Sequence, residues 1–243
     1  ILMSLAAISG VIERRILANY RIEPEAVRRF LPAPFQPKLF AGFAIGGICL
    51  IRLGRMRPAW FPVSWGLGSE NAAHRIAVEW REGEAVREGV YIPRRHTNSR
   101  LNVLAGGLVF PVVQQLARFE VRESQERLSV NVGSASDGTS IHVSGRVSAE
   151  WTGGSVFPDL QTASDFFRGG ALGYSAAAGG GRLSGIELNC EKWQVETLAV
   201  ERMESSFFED LSVFPRGTVQ VDCALLMRGI GHRWDNRGVL CCG

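Results

Sequence analysis

The sequence predicts an α+β protein, predominantly antiparallel β, in which one sheet closes or half-closes into a barrel and a few short helices interrupt it. Three observations lead there. Stretches that alternate polar and apolar residues recur along the chain, separated by turn residues. Helical spacing is confined to short segments. Long strand-like stretches carry charge on one face and apolar side chains on the other, as the wall of a barrel with a partly polar interior would.

Residues 11–21 read as a first strand of mixed polarity. Pro24 suits the first position of a short helix over 23–31, where Glu23 and Glu25 meet the positive N-terminal end and Val27, Phe30 and Leu31 share one face. Pro32 and Pro34 end it. The apolar run 43–53 contains Gly46-Gly47 and predicts a buried strand with a bend. Residues 55–67 hold Pro58, Pro62 and two tryptophans and read as a loop. Residues 74–80 alternate cleanly, and 86–92 form the hairpin partner across 81–84. A meander over 117–151 has strands near 118–122, 128–132 and 141–150, with Ser136-Asp137-Gly138 as a hairpin turn. Thr162 is expected to cap a helix over 163–168 that Gly169-Gly170 closes. Residues 186–200 and 218–228 are read as the last long strands, after a glycine connection at 179–181. No repeat or linker divides the chain, so residues 1–243 are taken as one domain with its core over about 10–234.

Composition narrows the function. Hydrophobic residues make up 46% of the chain and charged residues 21%, enough apolar mass for a sizeable core. The net charge of +3 is small and the basic residues are scattered, which argues against a nucleic-acid partner. Lysine accounts for only two of the 27 basic residues, Lys38 and Lys192, and the rest are arginine. Two side-chain amines are therefore all that imine chemistry has to work with, because a guanidinium stays protonated and non-nucleophilic. Five cysteines without a CxxC spacing point to free thiols in a reducing, cytoplasmic setting. The first eight residues are apolar but short and lack a basic lead, so neither a leader nor a membrane span is expected.

Two stretches resemble a known family. Residues 19–34, from Asn19-Tyr20-Arg21 to Pro32-Ala33-Pro34, are similar to the opening strand and helix of acetoacetate decarboxylase. Residues 91–111, ending Ala105-Gly106-Gly107-Leu108-Val109-Phe110-Pro111, are similar to the segment that leads into that enzyme's reactive lysine pair. Ser69-Glu70-Asn71-Ala72-Ala73-His74-Arg75 and Tyr91-Ile92-Pro93-Arg94-Arg95 resemble more closely an uncharacterised bacterial branch, the DUF2071 or YqjF-like proteins, over about residues 10–234. The resemblance implies an acetoacetate-decarboxylase-like barrel. It also implies a lost nucleophile: where the decarboxylase has an aromatic-Pro-Lys-Lys string, this chain has Phe110-Pro111-Val112-Val113, and valine cannot attack a carbonyl. Lys192 is the one substitute considered, and a strand lysine reaching solvent is the favoured reading of it.

The same resemblance puts Glu70 near a substrate-facing acid. It is read either as a general acid or base, with Tyr91 beside it, or as an ion-pair partner of Arg75 or a cap on the next strand. Arg94 and Arg95 follow an apolar strand, and a guanidinium fork suits a carboxylate. Period two sends them to opposite faces, so one of the two is expected to point inward. Arg14, Arg75 and Ser99 complete the candidate substrate contacts. No metal is expected, because the four histidines show no HxH, HxxxH or HExxH spacing, and no cofactor fingerprint occurs. Three readings stay open: an enzyme acting on a small organic acid without an imine, hydratase-like or aldolase-like by analogy, with a small carboxylate as its ligand; a non-catalytic barrel that binds a small molecule in an apolar cavity; and a scaffold with its pocket filled. Oligomeric state, a homo-oligomer included, is left open.

Overall fold

The computed structural model describes residues 7–60, 67–103, 113–177 and 181–241. Seven strands close on themselves in the order β1 (Ala7–Ile22), β4 (Phe43–Pro58), β5 (Leu67–Glu82), β6 (Ala85–Thr97), β11 (Leu172–Ala176), β12 (Arg182–Cys190) and β14 (Val219–Cys241), which pairs back onto β1. Every junction is antiparallel except the short parallel contact of β6 with β11. The minor strands β2 (Gln36–Pro37), β3 (Leu39–Phe40) and β7 (Gln115–Leu116) lie on the barrel strands. A second sheet of β8 (Arg118–Glu123), β9 (Arg127–Gly133), β10 (Ser140–Ser148) and β13 (Glu196–Ser205) grows from one stretch of β14, where Glu196 faces Leu226.

Two apolar clusters follow from the two faces of the barrel wall. Ile16, Ala18, Ile48, Leu50, Ile76 and Val78 point outward and pack with the second sheet. Leu17, Ile45, Cys49, Ile51, Leu225 and Met227 belong to the inner cluster. Helix α1 (Pro24–Arg28) starts on Pro24 as expected. Helix α2 (Leu160–Arg168) is capped by Asp159, not Thr162: the Asp159 carboxylate accepts the Thr162 N–H at 2.7 Å, so the helix opens three residues early. Its Phe166 and Phe167 join the inner cluster and close one end of the barrel beside Ile45 and Ala77.

Two further sequence expectations change. The loop over 55–67 starts later, because β4 stays paired with β1 out to Pro58; the rest of that loop lies mostly outside the described residues. The single strand over 186–200 is two strands. The chain leaves the barrel after Cys190 and re-enters extended structure in the second sheet at Glu196. No helix among the described residues is long and apolar enough to cross a membrane.

His74 sits on the outer face of the wall with its ring 4.9 Å from Phe207 and 5.8 Å from Phe208, and its Nε2 lies 2.9 Å from Ser205 Oγ. Burial, reinforced by the neighbouring His96, lowers its pKa to about 3, and burial with Arg15 nearby lowers that of His232 to about 4. Both are neutral in the folded chain, whereas in the unfolded chain each takes up a proton near pH 6.5. The unfolded state therefore binds more protons below that pH, and folding stability falls as the solution is acidified. Between pH 7 and 5 each histidine should remove about 2 kcal/mol of stability. Urea unfolding at the two pH values measures this: the parent should lose stability on acidification, and His74→Asn should lose clearly less. An identical loss in parent and variant would contradict the assignment.

Candidate functional site

A cavity of about 360 Å³ opens into the barrel, and residues from all seven barrel strands line it, so it is the barrel's lumen. Its walls are mostly apolar, with Ile51, Leu53, Ile92, Leu188 and Trp234 among them, and Arg57, Asn102 and Gln114 also line it. The strand registers show how the sequence builds the polar part. Asn19, Gly47 and Arg75 form one row across β1, β4 and β5. Leu17, Cys49, Ala73 and Arg95 form the next, reaching β6, and Arg15, Ile51, Asn71 and Thr97 the one after. Three arginines thus stand in three successive rows. Gly47 shares the row of Arg75, and Cys49 and Ala73 share that of Arg95, which leaves room for those two guanidinium groups. Gly173 serves the same purpose on β11: an added Cβ would stand 2.9 Å from Ile92 Cδ1 and 3.7 Å from an Arg95 nitrogen.

Arg15, Arg75 and Arg95 each have a neutral hydrogen-bond partner. Arg15 Nε donates to Cys49 Sγ at 3.4 Å, Arg75 Nη2 to Asn19 Oδ1 at 2.5 Å, and Arg95 Nε to Ser175 Oγ at 2.8 Å. Arg75 also lies with its guanidinium 5.0 Å from the centre of the Phe167 ring. Arg75 Nε and Arg95 Nη2 are buried with no hydrogen-bond partner, and no carboxylate is among the described lining residues. Burial, more than any neighbour, lowers the pKa of both Arg75 and Arg95 to about 10, so both remain cationic at neutral pH.

The sequence expectation groups Glu70, Tyr91 and one of Arg94 or Arg95 around a single cavity; the barrel wall divides them. Arg95 and Arg75 line the lumen. Arg94 lies on the outer face, with its guanidinium 5.2 Å from the Phe207 ring and a bond to Thr139. Tyr91 packs against Phe30 and Phe35 in the outer cluster. Glu70 is also on the outer face, where its two oxygens accept from Arg14 at 2.5 Å and Arg52 at 2.6 Å, and Glu123 of β8 completes a ring of two arginines and two carboxylates. Its ion-pair partners are therefore Arg14 and Arg52, not Arg75. Ser99 accepts the Asn102 N–H and so holds a lining residue without lining the lumen itself. Val113 is exposed, and Val112 lies outside the described residues.

Arg15 is the residue that sequence reasoning missed, and a bulge explains why. Ile12 pairs with Leu53 but Arg14 with Arg52, so Glu13 is extra in β1 and the alternation reverses there. Counted from Ile12, Arg14 would face inward; counted from Leu17 and Asn19, Arg15 does. A second bulge at Ile92-Pro93, between the pairs His74–Arg94 and Ile76–Tyr91, lets both Ile92 and Arg95 reach the lumen. Neither lysine does: Lys38 is paired with Glu88 over the Phe166 ring, and Lys192 is exposed. Among the described residues no cluster of His, Cys, Asp or Glu could hold a metal ion.

The DUF2071 family, described as uncharacterised conserved proteins, matches residues 11–227. No curated protein matches the chain. Three solved structures show the same fold at low identity. Acetoacetate decarboxylase from Legionella pneumophila has a TM-score of 0.65 at 10% identity, over 96% of this chain and 86% of that one. An acetoacetate decarboxylase-like enzyme from Sphingomonas wittichii scores 0.62 at 13%, over 98% and 94%. The enduracididine biosynthesis enzyme MppR, complexed with pyruvate, scores 0.60 at 13%, over 98% and 90%.

Removing one carboxylate from the outer ring should destabilise the fold without touching the lumen. Arg14 is 1% exposed, and Glu70→Gln leaves it with Glu123 alone. Breaking a buried pair typically costs about 3–5 kcal/mol, and the partly solvated Glu123 offsets some of that here. A thermal melt should show the midpoint of Glu70→Gln several degrees below the parent. An unchanged midpoint would mean that the ring does not hold the second sheet to the barrel.

Proposed function

The chain belongs to the DUF2071 family, and from that premise we propose that the lumen of its acetoacetate-decarboxylase-like barrel binds a small organic carboxylate through guanidinium contacts, without forming an imine. One observation carries the reading: Arg75 and Arg95, each with a buried nitrogen that has no partner, line a mostly apolar cavity that contributes no carboxylate of its own among the described residues. A buried donor without an acceptor costs roughly 1–3 kcal/mol, and more when it is charged, so an incoming carboxylate gains what the folded chain leaves unsatisfied. The apolar wall from Ile51 to Trp234 suits the hydrocarbon part of such a ligand. That MppR was captured with pyruvate in the same fold fits this ligand class.

The absence of both lysines from the lumen supports the second half of the proposal. Imine formation needs a neutral amine at the ketone, and here one amine is paired with Glu88 and the other is exposed. Proton transfer by Glu70 would require that carboxylate to leave two arginines and cross the barrel wall. Binding, not turnover by Glu70 and Tyr91, is therefore the role the geometry favours.

Thermal-shift titration tests the reading. Small 2-oxo and 3-oxo acids should raise the melting temperature, their amides should not, and Arg75→Gln should abolish the shift. Borohydride added with a keto acid should leave the protein mass unchanged. An equal shift by the amides would refute guanidinium recognition, and a reduced adduct on Lys38 or Lys192 would refute the imine-free mechanism.

A further inference from the structure

We infer that the lumen's ligand is a dianion, a short dicarboxylate with an aliphatic spine, rather than a monocarboxylate; the inference rests on the carboxylate reading above and narrows it. The chain treats its arginines differently on the two faces of the barrel. Outside, Arg14 and Arg52 share Glu70 and Glu123 in a closed ring of opposite charges. Inside, the hydrogen bonds of Arg15, Arg75 and Arg95 go to a thiol, an amide oxygen and a hydroxyl, and none goes to a carboxylate. The described lining residues add no carboxylate to balance these charges or that of Arg57, and a guanidinium does not relieve its burial by shedding a proton at neutral pH.

The charge count and the layout agree. Arg57 also lines the cavity, so one carboxylate would leave three of its four cations uncompensated, whereas two would leave two. The arginines are spread over three same-face rows on three strands, and such rows lie about 6–7 Å apart along a strand. A single anionic group cannot make short contacts in more than one or two of these rows. Two groups joined by a short chain can, and the spine would then run along the apolar side chains of Ile51, Ile92 and Leu188. Arg75 and Arg95 line the cavity from neighbouring strands in adjacent rows, so each guanidinium can hold its own carboxylate.

The test is calorimetric titration of the full chain with glutarate, its monomethyl ester and pentanoate, which keep the spine and vary the charge. Glutarate should bind at least about tenfold more tightly than the ester, the effect expected of one extra charge-assisted contact. Arg95→Gln, checked for folding by near-ultraviolet circular dichroism, should bring that ratio close to one. Equal affinity of the parent for glutarate and the ester would overturn the dianion while leaving the carboxylate reading intact. Binding of pentanoate but not glutarate would overturn it in the same way. If none of the three binds, and small oxo acids also fail, both readings fall together. The parent comparison decides the matter even if the variant does not fold.

Discussion

In a closed antiparallel sheet the pleat sends neighbouring side chains to opposite faces, and in this barrel those faces are two different solvents. One is a packed interface with a second sheet; the other is an open lumen. Two adjacent pairs of arginines, Arg14-Arg15 and Arg94-Arg95, are each split by that rule. The outward members meet Glu70, Glu123, Thr139 and Phe207, and the inward members meet Cys49 and Ser175. A chain whose charged residues are nearly balanced therefore acquires a lumen of one sign, because the wall sorts charge by face and not by sequence position.

The two faces also divide the work. The ring of Arg14, Glu70, Arg52 and Glu123 pairs its charges internally, though Arg14 Nε has no partner, and it ties β8 to the barrel, which makes it a structural device. Arg75 and Arg95 are held in place by neutral acceptors and an aromatic ring, yet Arg75 Nε and Arg95 Nη2 have no partner. Rigid positioning together with an unmet hydrogen-bonding requirement is what pre-organised anion recognition demands. Small residues at positions 47, 73 and 173 keep the space beside them open, and the phenylalanines of α2 fill the far end so that the cavity is blind on that side. Valine at position 113, where the sequence comparison places half of the decarboxylase's amine pair, is exposed and takes no part.

Much of the fold was legible because it rests on period two. The hairpin of β5 and β6, the meander and the proline-started helix were all written in alternation and turn residues. What period two could not give was the parity of a strand that contains a bulge. Reading across Glu13 puts Arg14 inside and Arg15 out, and nothing in the local sequence announces the extra residue; the register with β4 does. Glu70 shows a different limit. A carboxylate after a glycine turn suits catalysis and ion pairing equally, and the choice depends on Arg14 and Arg52, which are distant in sequence and adjacent only after the barrel closes. Arg95 was legible as one of two candidates for the inward position, because alternation splits the Arg94-Arg95 pair, and the register with β5 decides which.

The central claim, that the unsatisfied guanidinium groups inside the barrel are where an anion binds, can be read directly from arginine side-chain resonances. In a nitrogen-proton correlation experiment on the full chain, addition of a small carboxylate should move the Nε–H signals of Arg75 and Arg95 and leave those of Arg14 and Arg52 in place. Movement confined to the outer pair, or no movement of the inner pair at saturating carboxylate, would contradict the account.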